Sequence, residues 1–295
     1  MAVEPTHPSL ISAVEPRAAR VSHRGHGSSP FVRLLLTSAV VGWFALLILV
    51  PGLALVRAAL AGGARPFYEA LASADAQRAF GLTIAITAAT TVVNTLFGLG
   101  LAVVLVRHRF RGRALVDSLV DLPFAVSPIV AGLMLVIVFG PKGWLGPWLE
   151  LAGIRVVYAW PGMVLACLFV TLPFVVREVV PVLREFGLDQ EEVAHTLGAG
   201  RWTTFRLVTW PSIRWGLAYG VTLTVARSLG EFGALLVVSG NILGRTQTAT
   251  LYVHDGIESF NTEGAYAASV ALAGLSFALL LAMEAVRKRV AAREE

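Results

Sequence analysis

Three stretches, Leu34 to Val56, Phe80 to Val106 and Ala265 to Val286, carry no Lys or Arg, and Glu284 is their only acid. Each is long enough to cross about 30 Å of hydrocarbon at 1.5 Å of helix rise per residue. Three more runs of similar length, Leu119 to Gly140, Tyr158 to Val176 and Ile213 to Ser239, are interrupted by Asp121, Pro123, Pro128, Pro173, Arg227 and Glu231. Six such runs cannot be the buried helices of a soluble protein. The chain is 56% hydrophobic and 15% charged, with mean hydropathy +0.72, too few polar residues to clothe them. In lipid every backbone polar group must be paired internally, so runs this long read as helices. The expected fold class is an all-α polytopic membrane protein with six transmembrane helices.

Lys and Arg report the orientation, because basic flanks stay on the cytoplasmic side. Alternate links divide the 24 of them unequally. Seventeen fall on the N-terminal tail, the second-to-third link, the fourth-to-fifth link and the C-terminus, against six on the opposite set. Both termini are therefore expected in the cytoplasm. The net charge of +5 reflects this topology, not a nucleic-acid surface, since the basic residues are split among the ends of separate spans. Residues 1–30 are rich in Pro, Ser, His and Arg and lack an apolar signal core, which predicts a disordered cytoplasmic tail ahead of a transmembrane domain over 31–290. The single cysteine, Cys167, excludes an intrachain disulfide.

No phosphate-cradling G-x-x-x-x-G-K-[ST] run occurs. The six histidines are scattered without metal-ligand spacing, and no G-x-S-x-G or H-E-x-x-H appears. The chain reads as a non-catalytic protein with no cofactor of its own.

The longest link, residues 177–211, carries more local structure than a connector needs. Asp189 and Glu192 have the spacing of a capping box, with Leu188 and Val193 as its hydrophobic staple. Gly198 stands where a helix wants a left-handed terminator, and a second helix from Arg201 is expected to close at Pro211. Val193, Ala194 and Leu197 share one face of the first helix and form a small apolar ridge beside Glu191 and Glu192. Such a ridge either packs under the chain's own helices or enters a groove in another protein.

Two interrupted spans carry the polar groups. Pro123 and Pro128 remove backbone donors from the third and should kink or break it, with Ser127 between them; a plain kink and a pore-lining bend both satisfy this pattern. Arg227 and Glu231 in the fifth span are four residues apart, the spacing of a pair along one helix face. Each charge alone would cost about 2.5–3.5 kcal/mol at mid-membrane, so pairing is expected. The pair serves either to stabilise a helix break or to gate an anion path. Gly216 and Gly220 make a G-x-x-x-G step, which permits close helix approach within the subunit or to a partner.

The run Glu192-Val193-Ala194, then Gly198, Val208 and Trp210-Pro211, resembles the EAA loop of ABC importer permeases, with Val193, Val208 and Trp210 as apolar replacements. Asp121 to Pro128, Ala226 to Gly233 and Val237 to Ile242 are similar to the W-type inner-membrane subunit of sulfate/thiosulfate ABC importers, and with the loop they cover most of a core over 80–286. The resemblance implies a type I ABC importer permease fold in a bacterial inner membrane. It implies that Glu192, Val193, Ala194, Gly198 and Pro211 couple to a cytosolic ATPase. It also implies a second permease of the T type, two ATP-binding subunits that hold ATP and Mg, and an extracytoplasmic sulfate-binding protein. Pro123, Ser127, Pro128, Arg227 and Glu231 are the pathway or gate candidates. A molybdate/tungstate permease shares the fold and the loop; a stand-alone secondary anion transporter would suit broken helices but leaves the loop without a role.

Overall fold

The computed structural model describes residues 30–291. The tail expected over 1–30 lies, but for Pro30, outside them. The chain divides into a unit up to Pro51 and a second from Gly52 onward. The first span comprises α1 (Pro30–Phe44), a π-helical turn over Ala45–Leu49, and α2 (Val50–Ala59). After a short α3 (Ala64–Ala72) come the long α4 (Ala74–Arg107), α5 (Arg113–Ala125), α6 (Pro128–Phe139) and the one-turn-and-a-half α7 (Gly146–Leu151). Next are α8 (Trp160–Phe186), α9 (Asp189–Thr196), α10 (Arg201–Thr204) and α11 (Trp210–Leu229), the last two joined by a second π turn, Phe205–Thr209. The described residues end with α12 (Gly233–Ser239), α13 (Ala249–Glu258) and α14 (Thr262–Ala291).

Among the described residues four helices are long and apolar enough to cross a membrane, and two bent pairs bring the number to six if each pair is one span. The pairs are those interrupted by Pro128 and by Gly230-Glu231. The third run is not one continuous helix: α5 and α6 meet at 115°. Pro128 forces the residues before it away from helical geometry, and Val126 and Ser127 are both extended (ψ 130° and 137°). At about 1.5 Å per residue α6 is roughly 18 Å long, short of a bilayer core. The fifth run bends by 57° between α11 and α12.

Within the second unit α8 is the central helix; 61% of its apolar window is buried, against none of that of α14. One cluster joins α4, α8, α12 and α13 through Ile86, Met163, Cys167, Leu235 and Leu251. A second joins α4, α5, α8 and α11 through Leu105, Val120, Val176, Leu183 and Ile213. Between them the buried Asn94 amide donates to Thr171 Oγ1 (2.7 Å) and to the Leu168 carbonyl (3.2 Å), a polar cross-link of the kind that fixes helix register in lipid.

Small residues set the helix separations. A Cβ on Gly220 would lie 2.9 Å from Val175 Cα, and one on Gly216 2.9 Å from the Glu178 carbonyl oxygen. The G-x-x-x-G step therefore seats α11 on α8, inside the subunit. Gly132 and Gly233 likewise press α6 on α12: their added Cβ atoms would meet Ala234 O at 2.7 Å and Pro128 Cβ at 3.1 Å. Residues 128–129 lie beside 233, and 132 beside 234 and 237, so the two short helices run parallel and the breaks that precede them lie side by side.

Candidate functional site

Helix α8 passes through Pro173 and Pro181 and runs on to Phe186. Gly187 (φ +71°) turns the chain into α9. The helical bonding of α9 begins with Glu192 N–H donating to the Leu188 carbonyl (2.9 Å). Leu188, and not Asp189, therefore occupies the cap position, and no side chain caps it. Asp189 lies one residue too far along to reach the free amides as a capping box would. It joins Glu191 and Glu192 in the first turn, where carboxylates face the positive end of the helix dipole. The other end is as expected. Gly198 has φ +87°, its N–H donates to the His195 carbonyl (3.0 Å), and Ala199 N–H donates to the Ala194 carbonyl (3.0 Å), the two bonds of a Schellman terminator. His195 adds a ring-nitrogen contact to the Ala199 carbonyl (3.0 Å), which requires a proton on Nδ1.

Pro211 does not close the second helix. From Arg201 to Leu229 the chain is continuously helical. The π turn lets Trp210 N–H reach back to the Phe205 carbonyl, and Ser212 Oγ donates to the Val208 carbonyl (3.0 Å), so a proline without an N–H is absorbed without a break. The fifth span and the loop's second helix are thus one rod, about 43 Å long at 1.5 Å per residue.

The apolar ridge faces outward. Val193 is 57% and Leu197 82% exposed, Glu192 is exposed, and Ala194 is half-buried. Val193, Ala194 and Leu197 line a shallow groove with Asp189, Gln190 and Val208. Pro211 is half-buried. Glu191 points the other way: its Oε1 accepts from Arg107 Nη2 and from Thr209 Oγ1, both at 2.8 Å. Arg177 of α8 binds α5 by donating to both Asp121 carboxylate oxygens (2.6 and 2.7 Å), to Asp117 Oδ1 (2.7 Å) and to the Asp117 carbonyl (2.7 Å).

At the paired breaks, Arg227 Nη1 and Glu231 Oε2 are 2.7 Å apart; the Glu231 side chain is fully enclosed and that of Arg227 one-third exposed. The expected pair forms, and Glu231 does more than pair. Its Oε1 accepts from Ala234 N–H (2.9 Å) at the start of α12, and its carbonyl accepts from Thr250 Oγ1 (2.8 Å) on α13. Thr83 of α4 in turn accepts from Ala249 N–H (2.8 Å), so α13 also starts on a side chain from a distant helix. Pro123 is buried inside α5, Pro128 opens α6, and Ser127 is exposed at the break without capping α6.

Residues 94–292 match the family described as binding-protein-dependent transport system inner membrane component. The chain belongs to that family. It is 46% identical over 258 residues to the sulfate transport system permease protein CysW of Synechocystis sp., covering 88% of this chain and 94% of the relative. It is 42% identical to CysW of Escherichia coli (85% and 86% covered) and 38% identical to the CysT permease of the same organism (84% and 90%). A crystal structure of a bacterial ABC transporter that imports alginate shares the fold, with TM-score 0.74 at 18% identity over 88% of this chain and 96% of that one. The chain is therefore a multi-pass membrane permease with the type I fold expected from the loop.

Motif reading places Glu191 beside the ridge but gives it no partner, and it does not single out Arg107, Arg177, Asp117, Thr83 or Thr250 as site residues. Their partners are 18 to 166 positions away, beyond any local pattern. A faint signal exists in Thr83, Thr87, Thr90 and Asn94, a buried polar stripe at helical spacing along α4.

Proposed function

We propose that this chain is the W-type membrane subunit of an ATP-driven importer of sulfate and thiosulfate, forming half of the translocation pathway. The geometry that carries the coupling part is the outward-facing ridge Val193-Ala194-Leu197. It stands on a helix closed at Gly198 and followed by a rod reaching from the groove to the Arg227/Glu231 break. In this reading the ridge seats in a cleft of a cytosolic ATPase, and Glu192 borders the contact. Movement there is delivered along the rod to the paired breaks. ATP and Mg belong to two such ATPase subunits, and hydrolysis takes place in them. A T-type permease supplies the other half of the pathway, and an extracytoplasmic sulfate-binding protein delivers the anion. Both termini face the cytoplasm.

The anion class rests on similarity to the CysW proteins. Arg227 is the member of the buried pair open to an anion, while Glu231, tied to α12 and α13, restrains it. Pro123, Ser127 and Pro128 shape the neighbouring break.

The test is uptake of labelled sulfate and molybdate in cells lacking this chain. Sulfate uptake is expected to fail and to be restored by the unaltered chain, but not by Glu192→Lys or Gly198→Trp chains that insert normally. Loss of molybdate uptake alone would overturn the anion assignment. Full restoration by both variants would remove the coupling assignment.

A further inference from the structure

The groove side of α9 is accounted for by docking; its opposite side holds a contact that docking does not use. Glu191 lies about 160° around the helix from Val193 and about 120° from Leu197 at 100° per residue. Its carboxylate and the Arg107 guanidinium form an ion pair of 2.8 Å with side chains only 16% and 12% exposed. The same oxygen accepts the hydroxyl of Thr209, a residue 6% exposed, in the π turn that opens into α11. Arg107 is the last residue of α4. One oxygen therefore joins three elements: the end of the second span, the coupling helix, and the base of the fifth-span rod.

The other contacts of α9 are slight. None of its residues is fully buried, and its apolar side chains face the groove. A helix of eight residues held by so little packing can roll or tilt when pushed. An enclosed, charge-assisted contact opposes that, because separating it leaves a charge uncompensated in a poorly hydrated place.

We propose that Glu191 is the positioning residue of the coupling helix. Clamped by Arg107 and Thr209, it makes α9 rigid with the bases of α4 and α11, so that displacement of the ridge turns the rod and does not merely tilt α9. This rests on the reading of the ridge as the ATPase contact. Glu191 itself touches neither ATPase nor anion.

The experiment uses the complete importer in proteoliposomes with its binding protein, measuring ATP hydrolysis and anion uptake together. Glu191→Ala and Arg107→Glu complexes are expected to assemble and to keep basal hydrolysis. The anion transported per ATP should fall about ten-fold or more, the scale set by losing a buried charge partner. The exchange Arg107→Glu with Glu191→Arg should recover most of that ratio, which a general folding defect would not allow. An unchanged ratio in Glu191→Ala would overturn the proposal, as would a loss that the exchange fails to recover. The docking reading is tested apart from it by Leu197→Asp on the exposed ridge, which should abolish co-purification of the ATPase. If the ATPase still co-purifies, that reading is what fails.

Discussion

The Arg227/Glu231 pair shows how unequal the two members of a buried ion pair can be. Glu231 is enclosed and holds the start of α12, while Arg227 is one-third exposed. Removing the cation strands a carboxylate with one remaining donor. Removing only the carboxylate's charge leaves a guanidinium that can turn toward a wetter environment. Arg227→Met is therefore expected to destabilise the protein by about 3 kcal/mol. Glu231→Gln should cost about 1 kcal/mol, because the amide oxygen still accepts from Ala234 N–H. Thermal unfolding in detergent should place the Arg227→Met midpoint well below that of Glu231→Gln. The reverse order would mean that the cap at α12, and not the charge pair, dominates. The i, i+4 spacing made this pair legible in the sequence; the capping bond three residues on was not, because it required the helix to stop at Gly230.

At the scale of elements, two devices recur. Each π turn directly precedes a helical segment whose second residue is proline, Val50-Pro51 and Trp210-Pro211. The widened turn supplies a bond geometry that does not need the missing N–H, so both prolines sit inside continuous helices. The turn is one way to carry a proline and not a requirement, since Pro123, Pro173 and Pro181 lie within α5 and α8 without one, whereas the helix breaks before Pro128, where Val126 and Ser127 are extended. Small residues on α4 and α11 fix the separation from α8 in the same way that side-chain bulk fixes it elsewhere. Gly98 and Gly100 test this on a single helix. A Cβ on Gly98 would lie 2.9 Å from Val175 Cβ, whereas one on Gly100 meets nothing within 4 Å. Gly98→Leu is expected to lose about 1–3 kcal/mol through forced separation of α4 from α8. Gly100→Leu should leave the detergent melting midpoint unchanged or slightly raised, since it trades a poor helix former for a good one. Equal effects would mean that helix propensity, not packing, governs this position.

For the whole molecule, the charge asymmetry and the fold make one statement about topology that can be checked directly. The ridge residue Leu197 and the linker residue Trp144 are 82% and 81% exposed, and the bundle places them on links at opposite ends of α8. Cys167, the only cysteine, is buried, so single added thiols can be read without background. A membrane-impermeant thiol reagent applied to intact cells should label Trp144→Cys and leave Leu197→Cys unlabelled until the cells are opened. The opposite pattern would reverse the orientation of the protein.

The sequence by itself determined the lipid environment, the all-helical class, the six runs, the Gly198 terminator, the Arg227/Glu231 pair and the ridge. Each of these depends on period, length or short-range geometry. Tertiary structure alone decided the direction the ridge faces, the assignment of Gly216 and Gly220 to the α8 contact, and the passage of Pro211 through a continuous rod. It also placed the two breaks side by side and bound Glu191 to Arg107 and Thr209. These outcomes depend on which helices meet in space, and a helix's own periodicity is the same whether its polar or small face meets a neighbour, a partner or water.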